Sequence, residues 1–314
     1  MSRTIAESVG IGTAHGKVIL MGEHAVVYGE PAIALPFYSL SVRVAITAAS
    51  QEDVLDCQYY RGPLRAVPDT LEGLKRMIEA VHQPKTTGSF LSIVISSIIP
   101  PGYGLGSSAA VAAALIRALY AFYRRPLTQQ DLLAFVNIAE THAHGNPSGV
   151  DSWTTISPGP LWFVRGRHPL NIPLSRPVRI VVAASNIPGH TLDAIHHVRE
   201  KLPFFDKKNT PIIRLGKLSQ QAMPALGSGD YIQLGRLMTQ AHRELDCLGV
   251  STRHLNHLVT RAMKAGALGA KLTGSGGGGS MLALTADKEE QKRVKAALTQ
   301  AGAARVWTVT IGAS

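Results

Sequence analysis

The chain has 314 residues, 45% of them apolar and 17% charged. That is enough for one large or two ordinary domains with real cores, and too little charge for long disordered tails. The net charge of +11 and pI of about 9.8 suit acidic partners. The basic residues are scattered, however, in clusters no longer than Arg124-Arg125 and Lys207-Lys208, with no aromatic-interleaved basic strip, which argues against a nucleic-acid partner. Cys57 and Cys247 are isolated and form no disulfide framework or zinc knuckle. No apolar run reaches membrane-spanning length: Phe90–Ile99 is short and ends at Pro100-Pro101. With no basic-then-apolar start, these features predict a soluble cytoplasmic protein with no membrane partner.

In chain order, Met1–Gly16 combines a polar start with a glycine-spaced entry, and Lys17–Leu20 is a short strand before the turn Gly22–Gly29. Pro31–Phe37 and Leu40–Ala48 read as further strands, the second alternating through Val42, Val44 and Ile46. Gln51–Thr87 is less regular, with a helix over Thr70–His82. Ser89–Ile99 alternates again. Ser108–Tyr123 is an Ala-rich helix whose small residues let another element pack close, and Thr128–His144 a second helix, opened by a capping box of Thr128 and Asp131 and stopped by Gly145. A tight loop, His144–Asp151, delivers a carboxylate, and Trp153–Val164 reads as one or two strands before a strand at Arg179–Ala184. The texture then changes. Helical patterns cover Thr191–Leu202, Pro211–Leu226, Asp230–Leu245 and Thr252–Ala265. Strand, glycine loop and strand follow (Ala270–Leu272, Thr273–Ser280, Met281–Thr285), then a helix at Lys288–Gln300 and a closing strand at Arg305–Ile311. A domain boundary falls near Asn186–Gly189, dividing residues 1–186 from 187–314.

The stretch Pro100–Ala110 (P-P-G-Y-G-L-G-S-S-A-A) organises the rest. A strand leads in, three glycines follow, and a helix leads out. Glycines permit positive φ and close backbone approach, and the unpaired N–H groups of a first helical turn attract anions. The stretch is neither a Walker A loop nor G-x-G-x-x-G. It fits a phosphate site, and equally a glycine turn before a tightly packed helix.

Several side chains carry candidate chemistry. Asp151 is either a turn carboxylate or a fixed base or electrostatic anchor. Glu140 falls on the edge of a helix's buried face and needs a partner there, in a structural salt bridge or as a ligand to a hard cation such as Mg²⁺. Lys17 at a strand start and Glu23-His24 in a glycine-flanked turn also read as ordinary solvated groups. The loop Gly274–Gly279 has more glycine than a two-strand connection needs, which favours close approach to a ligand or to another loop.

Together these pieces resemble the GHMP kinase superfamily. Its three motifs occur in order as Gly16–Gly29 (G-K-V-I-L-M-G-E-H-A-V-V-Y-G), Pro100–Ala110 and Lys271–Ser280 (K-L-T-G-S-G-G-G-G-S). Within the superfamily the chain most resembles the mevalonate kinase family, on G-E-H-A-V-V-Y-G, on Glu140–Asp151 with its N-P-S-G-V-D, and on Leu248–Ser251 (L-G-V-S). The resemblance implies an α+β fold. Its N-terminal domain would be like ribosomal protein S5 domain 2, its C-terminal domain ferredoxin-like, and its active site in the cleft between them. It implies ATP-dependent phosphorylation of mevalonate, with Mg²⁺ and as a homodimer. Carried over by position, Asp151 matches the catalytic base and Lys17 the lysine beside it. Ser108 and Glu140 match the Mg²⁺ ligands. Pro100, Pro101, Gly102, Tyr103, Gly104, Leu105, Gly106, Ser107, Ser108, Ala109 and Ala110 match the ATP phosphate loop. Glu23, His24 and Thr191 match residues on the substrate side. The chain departs from the family pattern at Met21, where some members carry an aromatic residue or His, and at Thr239–Leu245, which lacks the common Asn-rich form.

Overall fold

Gly10 and Gly12 determine how the first strand packs. A Cβ on Gly12 would stand 2.0 Å from Ala114 O, and one on Gly10 2.2 Å from Ala118 O. Backbone therefore lies directly on backbone, against a helix whose Ala110, Ala113, Ala114 and Ala118 are all buried. This explains why strand β1 runs over the whole of Gly10–Met21 rather than only the Lys17–Leu20 that β-propensity marks. The computed structural model describes residues 8–82, 90–144, 148–189 and 191–312. By backbone proximity the chain forms two units: Met1–Gly16 with Leu40–Pro100 and Gly106–Ile156, and Lys17–Ser39 with Pro101–Leu105 and Ser157–Ser314.

In the first unit the later part of β2 (Ala32–Ala49) pairs antiparallel with β5 (Phe90–Ser97), from Val42 opposite Ser97 to Ala49 opposite Phe90. β3 (Val54–Cys57) pairs parallel with β5 and antiparallel with β4 (Tyr60–Pro63). The alternation seen in the sequence is real: Leu91, Ile93 and Ile95 are buried, and Val94 between them is exposed. Three helices pack on one another, α1 (Glu72–Val81), α2 (Ser107–Phe122) and α3 (Gln129–His144). Thr128 opens α3 as expected. Its hydroxyl accepts from Asp131 N at 3.1 Å and donates to Asp131 Oδ2 at 2.6 Å. Gly145, the expected end of α3, lies outside the described residues, as does Ser89 at the expected start of β5.

Two expectations are corrected here. The strands expected over Pro31–Phe37 and Leu40–Ala48 are one, because Pro36 and the polar Tyr38-Ser39 interrupt the hydrophobic pattern without breaking the extended backbone. Part of Trp153–Val164 is helical: α4 spans Val150–Thr154, and only Leu161–Phe163 is strand (β6). Thr154 and Thr155 carry β-branched propensity, but their hydroxyls bond back to Val150 O at 2.6 Å and Asp151 O at 3.0 Å, which supports the helical turn.

The second unit is built on a four-stranded antiparallel sheet of order β11-β8-β10-β9, with β8 at Val178–Ala184, β9 at Gly269–Thr273, β10 at Ser280–Thr285 and β11 at Arg305–Ile311. Every residue of β9 and β10 is buried. The start of β2 pairs with β6, which also pairs with β7 (Leu170–Asn171). Five helices accompany the sheet, α5 (Thr191–Lys201), α6 (Pro211–Ser228), α7 (Tyr231–Cys247), α8 (Arg253–Lys264) and α9 (Lys288–Gln300). Thr210, Asp230, Thr252 and Asp287 cap the last four by accepting from backbone N–H groups three residues on. Among the described residues no helix is long and apolar enough to cross a membrane.

Candidate active site

The first motif turns sharply where β1 ends. Gly22 has φ +95, and its Cβ would stand 2.5 Å from Pro31 O. His24 takes φ +60 and ψ −45 before the short 3-10 helix Ala25–Tyr28, which Gly29 closes at φ +89. A non-glycine residue in that conformation stores about 1–3 kcal/mol, held in place by its surroundings. Those surroundings are visible. His24 Nε2 lies 2.8 Å from Ser275 O; a carbonyl only accepts, so Nε2 carries the proton. Thr273 Oγ1 accepts from Ile19 N and donates to Ile19 O, both at 3.0 Å. Lys271 Nζ bonds Glu23 Oε1 and also Leu272 O. First and third motifs are thus fastened at three points inside the second unit.

The Glu23–Lys271 pair is wholly buried, both side chains being 0% exposed. Burial pushes the Glu23 carboxyl up and the Lys271 ammonium down, and each charge holds the other back. Glu23 Oε2 accepts no hydrogen bond among the described residues. The sequence reading missed Lys271 as more than the first letter of a motif. The available signal was its place in G-A-K-L-T, between Ala270 and Leu272 in a strand with no solvent face. A lysine there requires a buried anion.

Burial also drives His24 down to about 4, and His242, whose Nδ1 accepts from Leu272 N at 3.4 Å, down to about 4 as well. For His242 the Lys271 charge acts in the same direction. Both imidazoles are therefore neutral in the folded protein at neutral pH. Their folded values lie below the ordinary 6.5, so their contribution to stability is fully present above 6.5 and is lost as pH falls towards 4. Urea unfolding at pH 5.0 compared with pH 7.5 is expected to show a loss of about 2 kcal/mol per histidine. A stability unchanged between the two would contradict this burial.

In the stretch expected to hold phosphate, Gly102, Gly104 and Gly106 take φ of +80, +72 and +74, values that favour glycine. A Cβ on Gly104 would meet Gly274 Cα at 3.1 Å, so the second and third glycine loops touch backbone to backbone. Lys17 is buried, and its backbone N–H donates to Leu105 O at 3.0 Å. Thr191 Oγ1 lies 3.3 Å from Ser275 Oγ. Lys17, Glu23, His24, Thr191 and Pro101–Leu105 all belong to the second unit; Pro100, Gly106–Ala110, Glu140 and Asp151 belong to the first.

In the first unit the donor set suits a triphosphate with a hard cation. Ala110 N makes the first α2 bond, to Gly106 O at 3.0 Å, so the N–H groups of Ser107, Ser108 and Ala109 have no helical acceptor. Ser107 Oγ donates to Ile99 O at 3.2 Å, whereas the Ser108 hydroxyl is engaged by no protein group among the described residues. Glu140 is a buried carboxylate on α3, the helix that packs on α2. A hydroxyl and a carboxylate are oxygen ligands of the kind that Mg²⁺ takes together with substrate phosphates. Asp151 lies in the first turn of α4 rather than at the end of a loop. Ser152 Oγ donates to Asn137 Oδ1 at 3.0 Å and ties that helix to α3.

Comparison with known proteins identifies the family. The profile for the GHMP kinases N terminal domain matches residues 72–158, and that for GHMP kinases C terminal matches residues 222–304. Mevalonate kinase of Thermococcus onnurineus is 34% identical, over 93% of each chain. The chain belongs to the mevalonate kinase family. Two solved mevalonate kinases share its fold. That of L. major, in complex with R-mevalonate, has TM-score 0.86 and 26% identity over 100% of each chain. That of methicillin-resistant Staphylococcus aureus has TM-score 0.74 and 34% identity over 98% of this chain and 100% of its own. The α+β fold expected from the motifs is thus that of mevalonate kinases, and this family member is a kinase.

Proposed function

We infer that the protein transfers the γ-phosphoryl group of ATP to the C5 hydroxyl of (R)-mevalonate, giving 5-phosphomevalonate and ADP. The observation that carries this reading is family membership over nearly the whole chain, with Lys17, Ser108, Glu140 and Asp151 all present in the sequence. In this reading Pro100–Ala110 holds the ATP phosphates, and Ser108 and Glu140 hold Mg²⁺. When bound, the cation supplies charge neutralisation on the phosphate oxygens. Asp151 accepts the proton of the C5 hydroxyl as its oxygen bonds to the γ-phosphorus, and the bond from that phosphorus to the bridging oxygen breaks, releasing ADP. Lys17 stabilises the developing alkoxide, and Glu23, His24 and Thr191 orient the acceptor. Phosphoryl transfer needs little more than such positioning and charge stabilisation. A homodimer follows from the family resemblance. A cytoplasmic setting is supported by two free cysteines, Cys247 among them exposed.

The test is coupled ADP release over mevalonate, phosphomevalonate, homoserine and galactose. Turnover of mevalonate is expected to exceed that of the other three by orders of magnitude. Preference for phosphomevalonate, or no turnover of mevalonate, would overturn the reading.

A further inference from the structure

In the first unit, the three side chains assigned to phosphoryl transfer each sit on a helix of their own: Ser108 on α2, Glu140 on α3 and Asp151 on α4. Helix α4 packs against both α2 and α3. Those two helices have 16 residues each, and α4 has five. So short a helix is not stable on its own, and Gly149 at its N-cap supplies no side-chain hydrogen bond. The direction of the Asp151 carboxylate therefore depends on what holds α4 to its neighbours.

The threonine hydroxyls of this segment act within it. Thr154 Oγ1 donates to Val150 O, and Thr155 Oγ1 to Asp151 O and, at 3.3 Å, to Ser152 O. Such bonds give the turn its shape but leave its placement open. Ser152 differs. It is 0% exposed, so its hydroxyl needs a partner. The carbonyl four residues back belongs to Ser148, before the helix begins. The hydroxyl donates instead to Asn137 Oδ1 on α3, at 3.0 Å. Asn137 lies three residues before Glu140, so the two are neighbours on the surface of that helix. An alanine at 152 would be buried equally well with no donor to satisfy. The serine thus ties the residue beside the base to the turn that precedes the carboxylate of α3.

We propose that Ser152 and Asn137 are positioning residues for phosphoryl transfer, the bond between them setting the Asp151 carboxylate relative to Glu140. This rests on the roles inferred above for Asp151 and Glu140. Without the bond α4 keeps its internal turn and loses its register on α3, so the base is displaced while α3 itself stays in place.

Ser152→Ala, Asn137→Ala and the combined variant, each with and without Asp151→Asn, test this by coupled ADP release. Each single variant is expected to lower kcat about 10-fold, within the ~10²-fold that a misplacement of about 1 Å can cost, with KM for ATP and mevalonate moved less than about threefold. The combined variant should lose no more than either single one, because the same bond is removed in all three. In the Asp151→Asn background the loss should disappear, since no base is left to misplace; a general distortion of the unit would persist there. Calorimetric titration with MgADP should give the wild-type Kd within about twofold for all three variants. Alanine is the better helix former at 137, so Asn137→Ala carries the test should Ser152→Ala fail to fold. Wild-type kcat in the single variants, additive losses, weakened MgADP binding, or a loss that survives in Asp151→Asn overturns the proposal and leaves the kinase reading intact. Near wild-type kcat in Asp151→Asn alone overturns the assignment of the base, and this proposal with it.

Discussion

Asp151→Asn is expected to lower kcat about 10²- to 10⁴-fold, the usual contribution of a positioned general base. The change keeps the side chain's shape and removes its negative charge together with its capacity to take a proton, so the main effect should fall on kcat rather than on KM. The backbone at this position already serves α4, with Asp151 O accepting from Thr155 N at 3.0 Å and Thr155 Oγ1 at 3.0 Å. Both bonds are accepted by the backbone carbonyl, which the substitution leaves in place. Coupled ADP release at saturating ATP and mevalonate, beside a thermal melt, separates the two effects. A variant with near wild-type kcat would remove Asp151 from the role of base.

Lys271→Met carries the largest expected loss of stability. It leaves Glu23 wholly buried without its cation, a defect of about 3–5 kcal/mol. That is a large part of the roughly 5–15 kcal/mol by which a typical domain is stable. The combined variant Glu23→Gln/Lys271→Met removes both charges at similar volume and should regain most of that stability, because a buried ion pair replaced by neutral groups is often no worse than the pair itself. Urea unfolding at pH 7.5 of the single and the combined variant provides the comparison. A single variant within 1 kcal/mol of wild type, or a combined variant no better than the single one, would show that the two side chains are not paired in solution as they are here. Because the pair joins the turn Gly22–Gly29 to β9, the same defect should loosen the His24 latch on Ser275.

Most elements of the second unit could be read from sequence with little error, because caps and periodicity agreed. Thr210, Asp230, Thr252 and Asp287 mark their helices, and Lys288–Gln300 and Arg305–Ile311 fall where the pattern places them. Reading failed where tertiary contact overrides propensity. Gly10 and Gly12 look like strand breakers until α2 is packed on them, and Pro36 looks like a boundary within what is one strand. At the site, the glycine positions of the phosphate loop were legible, since only glycine meets the φ values they take. The buried pair was not. Glu23 and Lys271 are 248 residues apart, and no local pattern relates them.

Gly276 to Gly279 all sit at positive φ, at +76, +68, +149 and +76. Two of them are also walled in: a Cβ on Gly276 would stand 2.1 Å from Val250 O, and one on Gly278 2.5 Å from Ile187 O. At Gly277 nothing lies within 4 Å, so a residue that tolerates the left-handed region, Asn or Asp before all others, has room there. The floor of this loop is therefore almost closed to drift by mutation. Variation that alters charge without disturbing this backbone is left to exposed side chains of neighbouring elements, such as those of α5.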